Sequence, residues 1–381
     1  MDQLVEGSAS YLRALIARKA ISPVELFDAC RARIEALNPM VNAMVALDLE
    51  RGRAAAREAE AAVIRGGPCG PLHGLPVAVK DVSATAGLRT TWGSLVYKDH
   101  VPDTDDLIVA RIRAAGGIVI GKTNTPEFGA GANTINRVYG ATVNPFDTAL
   151  SCAGSSGGSA VALATDMVPL ASGSDMGGSL RTPASFCGVV GHRPSPGLVP
   201  SRSRRHGWSA LSVDGAMART VEDLSLLLRA ISGFDNHDPL ATAVEHPRQL
   251  AKADLGRLRV VFSEDLGVAP VSKEVRAAFR RTTERIAPLF ANVEWHDPDL
   301  GDVHTTFETL RGINFFDNYG DYVERYRELA GPNVIANVES ARGITVAQVG
   351  RAMAAQTDIY RKFQVFFEDI DLLICPAAAT T

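Results

Sequence analysis

Three stretches of the sequence combine residue types that can do chemistry. Lys80 ends the apolar run Leu75-Pro76-Val77-Ala78-Val79. A lysine amine drawn into a dry site loses hydration, its pKa falls from about 10.4 toward neutrality, and the uncharged amine is a competent general base. The second stretch is Gly154-Ser155-Ser156-Gly157-Gly158-Ser159, and the third is Ser172-Gly173-Ser174-Asp175-Met176-Gly177-Gly178-Ser179. Paired glycines ahead of a serine let backbone N–H groups approach a ligand without Cβ interference, and such groups can hold a developing oxyanion. Taken singly, each stretch also has a plainer account: a solvated surface lysine, a turn and a tight bend.

Other matches point elsewhere and are weaker on physical grounds. Gly116-Gly117-Ile118-Val119-Ile120-Gly121-Lys122-Thr123 fits the P-loop pattern letter for letter. A phosphate cradle needs a flexible loop of converging N–H groups, whereas Ile-Val-Ile prefers an extended strand, so a P-loop nucleotide-binding protein is the disfavoured alternative. Gly154-Ser155-Ser156-Gly157-Gly158 also fits a nucleophile elbow, but the preceding Asn144–Ser151 does not read as the strand an elbow must follow. His296, Asp297, Asp299, Asp302 and His304 form the densest polar cluster; a solvated loop after a strand accounts for them better than a metal site.

Elements must hold these residues in place. The first 66 residues read as helices, with Ser22-Pro23-Val24-Glu25 as a capping box and a second helix from about Glu50 to Ile64 stopped at Gly66-Gly67-Pro68. From His73 onward, strands and helices alternate. Strands are expected at Leu75–Lys80, Gly117–Gly121, Val168–Ala171, Leu258–Phe262, Val293–Trp295 and Leu372–Cys375. Helices are expected at Asp105–Ala115, Ser155–Thr165, after Thr220, at Ser272–Phe290 and at Thr345–Phe367. Such alternation predicts an α/β fold with helices around a largely parallel or mixed sheet.

The bulk properties narrow the class. The chain has 381 residues and a formal net charge of −4, which argues against a nucleic-acid binder with a basic face. With 46% apolar and 22% charged residues it reads as an ordinary globular protein. No run of eighteen apolar residues and no signal peptide stand out, so no membrane partner is expected. The five cysteines, Cys30, Cys69, Cys152, Cys187 and Cys375, are widely spaced without C-x-x-C, as expected of free thiols in a reducing cytoplasm.

Several motifs in fixed order carry a resemblance. Gly74-Leu75-Pro76-Val77-Ala78-Val79-Lys80-Asp81, Gly121-Lys122-Thr123-Asn124, Ala153–Ala160, Gly173–Arg181 and Pro183–Gly191 together resemble the amidase signature family. The resemblance runs from about Ser8 to the end and is densest from Leu72 to Val199. It implies one continuous domain with a mixed central β-sheet flanked by helices on both faces. Residues 1–66 would then be a helical segment packed on a core of residues 67–381. The sequence stops soon after Cys375-Pro376, where many relatives continue for further helices; a genuine end, a truncation and further residues beyond it are the alternatives.

By motif, the resemblance implies that Ser179 is the acyl-forming nucleophile, Ser155 the bridging serine and Lys80 the terminal base, with a cis Gly154–Ser155 bond. Met176, Gly177, Gly178 and Ser179 would supply oxyanion N–H groups, with no metal or organic cofactor. Ser156 is read either as a network hydrogen-bonder or as a plain helix N-cap. Gly129, Ala130 and Gly131 would line the substrate pocket. Arg181 could bind an acidic substrate group or pair with Asp175. The implied activity is hydrolysis of linear C–N amide bonds in a small molecule, with a homodimer as the family's habit. The rival within the family is the glutaminase component of a tRNA-dependent amidotransferase, against which Thr182 stands where that protein usually has Gln. Ala153 also departs from the usual Gly, and Arg193-Pro194-Ser195-Pro196 from the usual turn. Phe315, Tyr319, Tyr322 and Tyr326 form a helical stripe that reads as core packing before ligand wall.

Overall fold

The apolar runs of the first half become the strands of a mixed sheet in the computed structural model, which describes residues 2–67, 69–242 and 251–380. In chain order the strands are β1 (Met44–Leu47), β2 (Pro76–Lys80), β3 (Ile118–Thr123), β4 (Ile135–Asn136), β5 (Gly140–Ala141), β6 (Leu170–Asp175), β7 (Val190–Gly191), β8 (Val213–Ala218), β9 (Arg259–Phe262), β10 (Asn292–Trp295) and β11 (Leu372–Ile374). The chain divides into two compact units, Met1–Leu250 with Tyr322–Ile335, and Ala251–Asp321 with Ala336–Thr381.

The first unit carries a six-stranded sheet in the order β1-β3-β2-β6-β8-β7. β2 runs parallel to both β3 and β6, while β1, β8 and β7 join antiparallel, so the sheet is mixed. Every residue of β2 and β3 is buried, which is why their sequences read as unbroken apolar runs rather than alternating ones. Helix Leu49–Arg65 packs on β3, Val221–Ile231 on β8, and Gly157–Ala164 on β6 and β2. The capping box at Ser22 forms as read: Ser22 Oγ accepts the Glu25 N–H at 3.0 Å, and the Glu25 carboxylate accepts the Ser22 N–H at 2.8 Å. The second unit holds a parallel three-stranded sheet, β10-β9-β11.

Two features differ from the sequence reading. The strand expected at Val168–Ala171 runs instead from Leu170 to Asp175, because all six residues pair with β8, so half of the presumed glycine loop is strand. The short strands β1 and β7 and the antiparallel β8 were not legible. β8, Val213-Asp214-Gly215-Ala216-Met217-Ala218, carries a glycine and an aspartate that local propensity disfavours, and its pairing along β6 overrides them. Among the described residues no helix is long and apolar enough to cross a membrane.

Candidate active site

Lys80 is the last residue of β2 and is fully buried. Its N–H donates to Ser172 Oγ at 3.1 Å, and its Nζ lies 2.7 Å from Ser155 Oγ and 3.0 Å from Ser174 Oγ. Burial drives the amine down to about 7, against the opposing charges of Asp214 and Asp175.

Ser155 sits in the loop that opens the helix Gly157–Ala164, after a cis Gly154–Ser155 peptide bond. The loop is clamped by Thr134, whose Oγ1 donates to Ala153 C=O at 2.8 Å and accepts the Gly157 N–H at 3.1 Å. Ala153, at φ +57°, occupies a left-handed conformation that favours glycine. Gly157 and Gly158 serve packing rather than ligand approach: a Cβ on Gly158 would stand 2.3 Å from the Asn124 backbone N, and one on Gly157 2.2 Å from Thr134 Oγ1. Ser156 makes no side-chain capping bond. Its hydroxyl donates to Ser174 C=O and accepts the Ser174 N–H, both at 3.3 Å, which joins the Ser155 loop to the end of β6.

Ser179 lies in the turn between β6 and the helix Arg181–Cys187 and is partly exposed. Its carbonyl accepts the Ser156 N–H at 3.2 Å, so the two serine loops are tied backbone to backbone. Asp175, fully buried, organises this turn. It accepts the Gly178 N–H at 2.9 Å and the Leu180 N–H at 3.0 Å, and Arg181 grips it from two nitrogens at 3.0 and 2.9 Å. Arg193 adds a contact at 3.2 Å. Burial alone would raise the Asp175 carboxyl, but Arg181 and the two N–H donors hold it below the usual carboxylate range. Arg181 is therefore engaged in the ion pair, and the Gly178 N–H is already committed to a carboxylate. Met176 and Ser179 are partly exposed and Gly177 is exposed.

Gly129, at φ +72°, borders Ser155 directly: a Cβ there would lie 3.4 Å from Ser155 Oγ. Ala130 is buried, and Gly131 packs against Asn333. The segment is anchored by Glu127, whose carboxylate accepts the Tyr322 hydroxyl at 2.8 Å and the Gly331 N–H. Phe128 meets Tyr322 edge to face at 5.0 Å, and Tyr97 stacks on Tyr322 at 6.4 Å. Of the aromatic stripe, Tyr322 thus joins a cluster beside the Gly129 segment, while Phe315 and Tyr319 pack on each other in the second unit.

The remaining motifs resolve separately. The lysine of the P-loop match, Lys122, is fully buried in β3, where its ammonium donates to Ser83 C=O and to Thr85 Oγ1 at 2.9 Å. Asp297 accepts the Ser263 hydroxyl, Asp299 pairs with Lys362, and His304 lies 3.1 Å from Val268 C=O. Among the described residues no three His, Cys, Asp or Glu converge as a metal site. Sequence reasoning missed Ser174, the second partner of Lys80. Its signal was the Ser172/Ser174 alternation, which places both hydroxyls on one face once the segment is known to be a strand.

Residues 25–381 match the family described as Amidase. The acylamidase of Rhodococcus erythropolis is 35% identical over 380 residues, spanning 98% of this chain and 79% of that relative. The glutamyl-tRNA(Gln) amidotransferase of Thermus thermophilus has a component that is 36% identical over 395 residues, spanning 97% of this chain and 81% of its own. The crystal structure of a bacterial aryl acylamidase of the amidase signature enzymes superposes with a TM-score of 0.91 at 27% identity, covering 98% of this chain and 80% of that one.

Proposed function

The chain belongs to the amidase signature family of hydrolases acting on C–N bonds, and we propose that it cleaves linear amides of small molecules through a Ser179–Ser155–Lys80 relay and a covalent acyl-enzyme. The observation that carries this reading is the 2.7 Å separation of Lys80 Nζ and Ser155 Oγ at a fully buried amine, which burial pushes down toward neutrality.

Neutral Lys80 accepts the Ser155 proton, Ser155 accepts that of Ser179, and Ser179 Oγ attacks the amide carbonyl. The N–H groups of Met176, Gly177 and Ser179 receive the developing oxyanion, while the Gly178 N–H, held by Asp175, shapes the turn. The proton returns along the relay to the departing nitrogen, the C–N bond breaks, and the amine leaves an acyl group on Ser179. Water enters by the reverse path and releases the acid. Gly129, Ala130 and Gly131 form the wall beside Ser155. The aromatic cluster of Phe128, Tyr97 and Tyr322 behind that wall, together with the likeness to an acylamidase and an aryl acylamidase, favours amides with an apolar or aromatic group.

Similarity to the amidotransferase component supports a second reading, glutamine hydrolysis in a complex with partner chains. A panel of anilides, aliphatic amides and glutamine, assayed for released amine or ammonia with the isolated chain, separates the two. Turnover of anilides or aliphatic amides is the expected result. Ammonia from glutamine alone would replace it with the second reading, and no turnover of any anilide or aliphatic amide would overturn the first.

A further inference from the structure

Asp214 has no role in the relay just described, yet it lies one side chain away from it. In the antiparallel pairing of β6 and β8, Ser174 and Asp214 are direct partners. Directly opposed residues of a ladder share a face with Cβ atoms about 4.5–5.5 Å apart. Ser174 Oγ in turn lies 3.0 Å from Lys80 Nζ, so the Asp214 carboxylate flanks the hydroxyl that touches the amine.

The other charged groups around Asp214 and Lys80 have hydrogen-bond partners of their own. Arg204 donates to Asp238 at 2.7 Å, and Asp238 also takes the Ser201 N–H at 2.9 Å. Asp106, at the start of the helix Leu107–Ala114, accepts the Ala84 N–H at 2.7 Å. Asp175 is held by Arg181 and Arg193. The carboxylate of the partly exposed Asp214, by contrast, has no hydrogen-bonded or ion-paired partner among the described residues. Burial raises its carboxyl to about 6, with Asp106 and Asp238 pushing the same way and Arg204 and Lys80 opposing. A carboxylate on β8 and an amine on β2, on either side of β6, stabilise each other's charged forms.

Building on the proposed relay, we propose that Asp214 is the positioning counter-charge of Lys80: it stabilises the ammonium that forms when Lys80 takes the relayed proton, and so sets the lower pH limit of the active enzyme. Asp214 acts through Lys80 and touches no substrate.

The test is the pH dependence of covalent labelling of Ser179 by a fluorophosphonate, which needs no knowledge of the substrate. In Asp214→Asn the acid limb moves to lower pH by about half to one unit, because removing a nearby negative charge eases loss of the Lys80 proton. The limiting rate also falls, because the base is weaker. Asp214→Glu restores the wild-type limb. Should the Asn variant not fold, Asp214→Ser reads the same shift. An acid limb unmoved in folded Asn or Ser variants overturns the proposal. Labelling elsewhere than Ser179, or undiminished in Lys80→Met, instead defeats the relay itself, so the two failures are distinguishable.

Discussion

Lys80 Nζ and Ser155 Oγ stand 2.7 Å apart where a wholly buried strand ends against a loop clamped by Thr134. Because the amine is fully buried, the serine hydroxyl connects it to the rest of the site. Ser179→Ala is expected to lower kcat/KM by about a thousandfold or more, and Ser155→Ala and Lys80→Ala by at least about a hundredfold. A fluorophosphonate adduct should map to Ser179 by peptide mass spectrometry. Full turnover in purified Ser179→Ala would remove that serine from the mechanism.

Activity should rise with pH through about 7, the point at which burial sets the Lys80 amine, since only the uncharged form can accept a proton. The same shift carries a stability signature. From pH 7 up to the unfolded value near 10.5 the unfolded chain binds a proton that the folded chain does not, so this group makes stability increase with pH across that window. Lys80→Met should therefore be more stable than wild type by a few kcal/mol near pH 6, with the gain fading toward pH 10. Urea melts at the two pH values measure it, and an equal gain at both would refute the linkage.

Arg181 and Asp175 supply a prediction about the turn that carries Ser179. Arg181→Ala leaves a buried carboxylate with Arg193 and two N–H groups. Stability should drop by about 1–3 kcal/mol, with a larger proportional loss in kcat than in KM as the turn loosens. Arg181→Lys should recover little, because a single ammonium cannot reproduce the two-pronged grip. A rise in KM restricted to acidic amides, with the melting temperature unchanged, would return Arg181 to substrate binding.

Ala153 occupies a left-handed conformation at φ +57°. An L-residue there costs about 1–2 kcal/mol, partly offset by the greater freedom of an unfolded glycine. Ala153→Gly is expected to stabilise the protein by about 0.5–1 kcal/mol in denaturant melts, without loss of activity. Destabilisation would show that the Ala153 methyl contributes packing that outweighs the backbone term.

Lys122 should not bind phosphate. MgATP is expected to leave the thermal midpoint unchanged, because the lysine is sealed in β3 against Ser83 and Thr85. A saturable upward shift would reopen the nucleotide reading.

Sequence alone determined which segments are apolar enough to become the buried strands β2 and β3, and where the Ser22 cap starts a helix. Those outcomes follow from local spacing, which is why they were legible. It also ruled against the P-loop, since Ile-Val-Ile could only extend. The order of motifs placed Lys80, Ser155 and Ser179 in one family pattern. What sequence could not reveal is which groups meet across strands. Ser174 becomes a partner of Lys80, and Asp214 its neighbour, only because β6 lies between β2 and β8 in a fixed register. Likewise Gly157 and Gly158 looked like a ligand cradle until Thr134 and Asn124, both distant in the chain, were seen pressed against them. Hydrogen bonds and charge effects act over a few ångströms in space, and sequence separation carries no information about that distance until the sheet has closed.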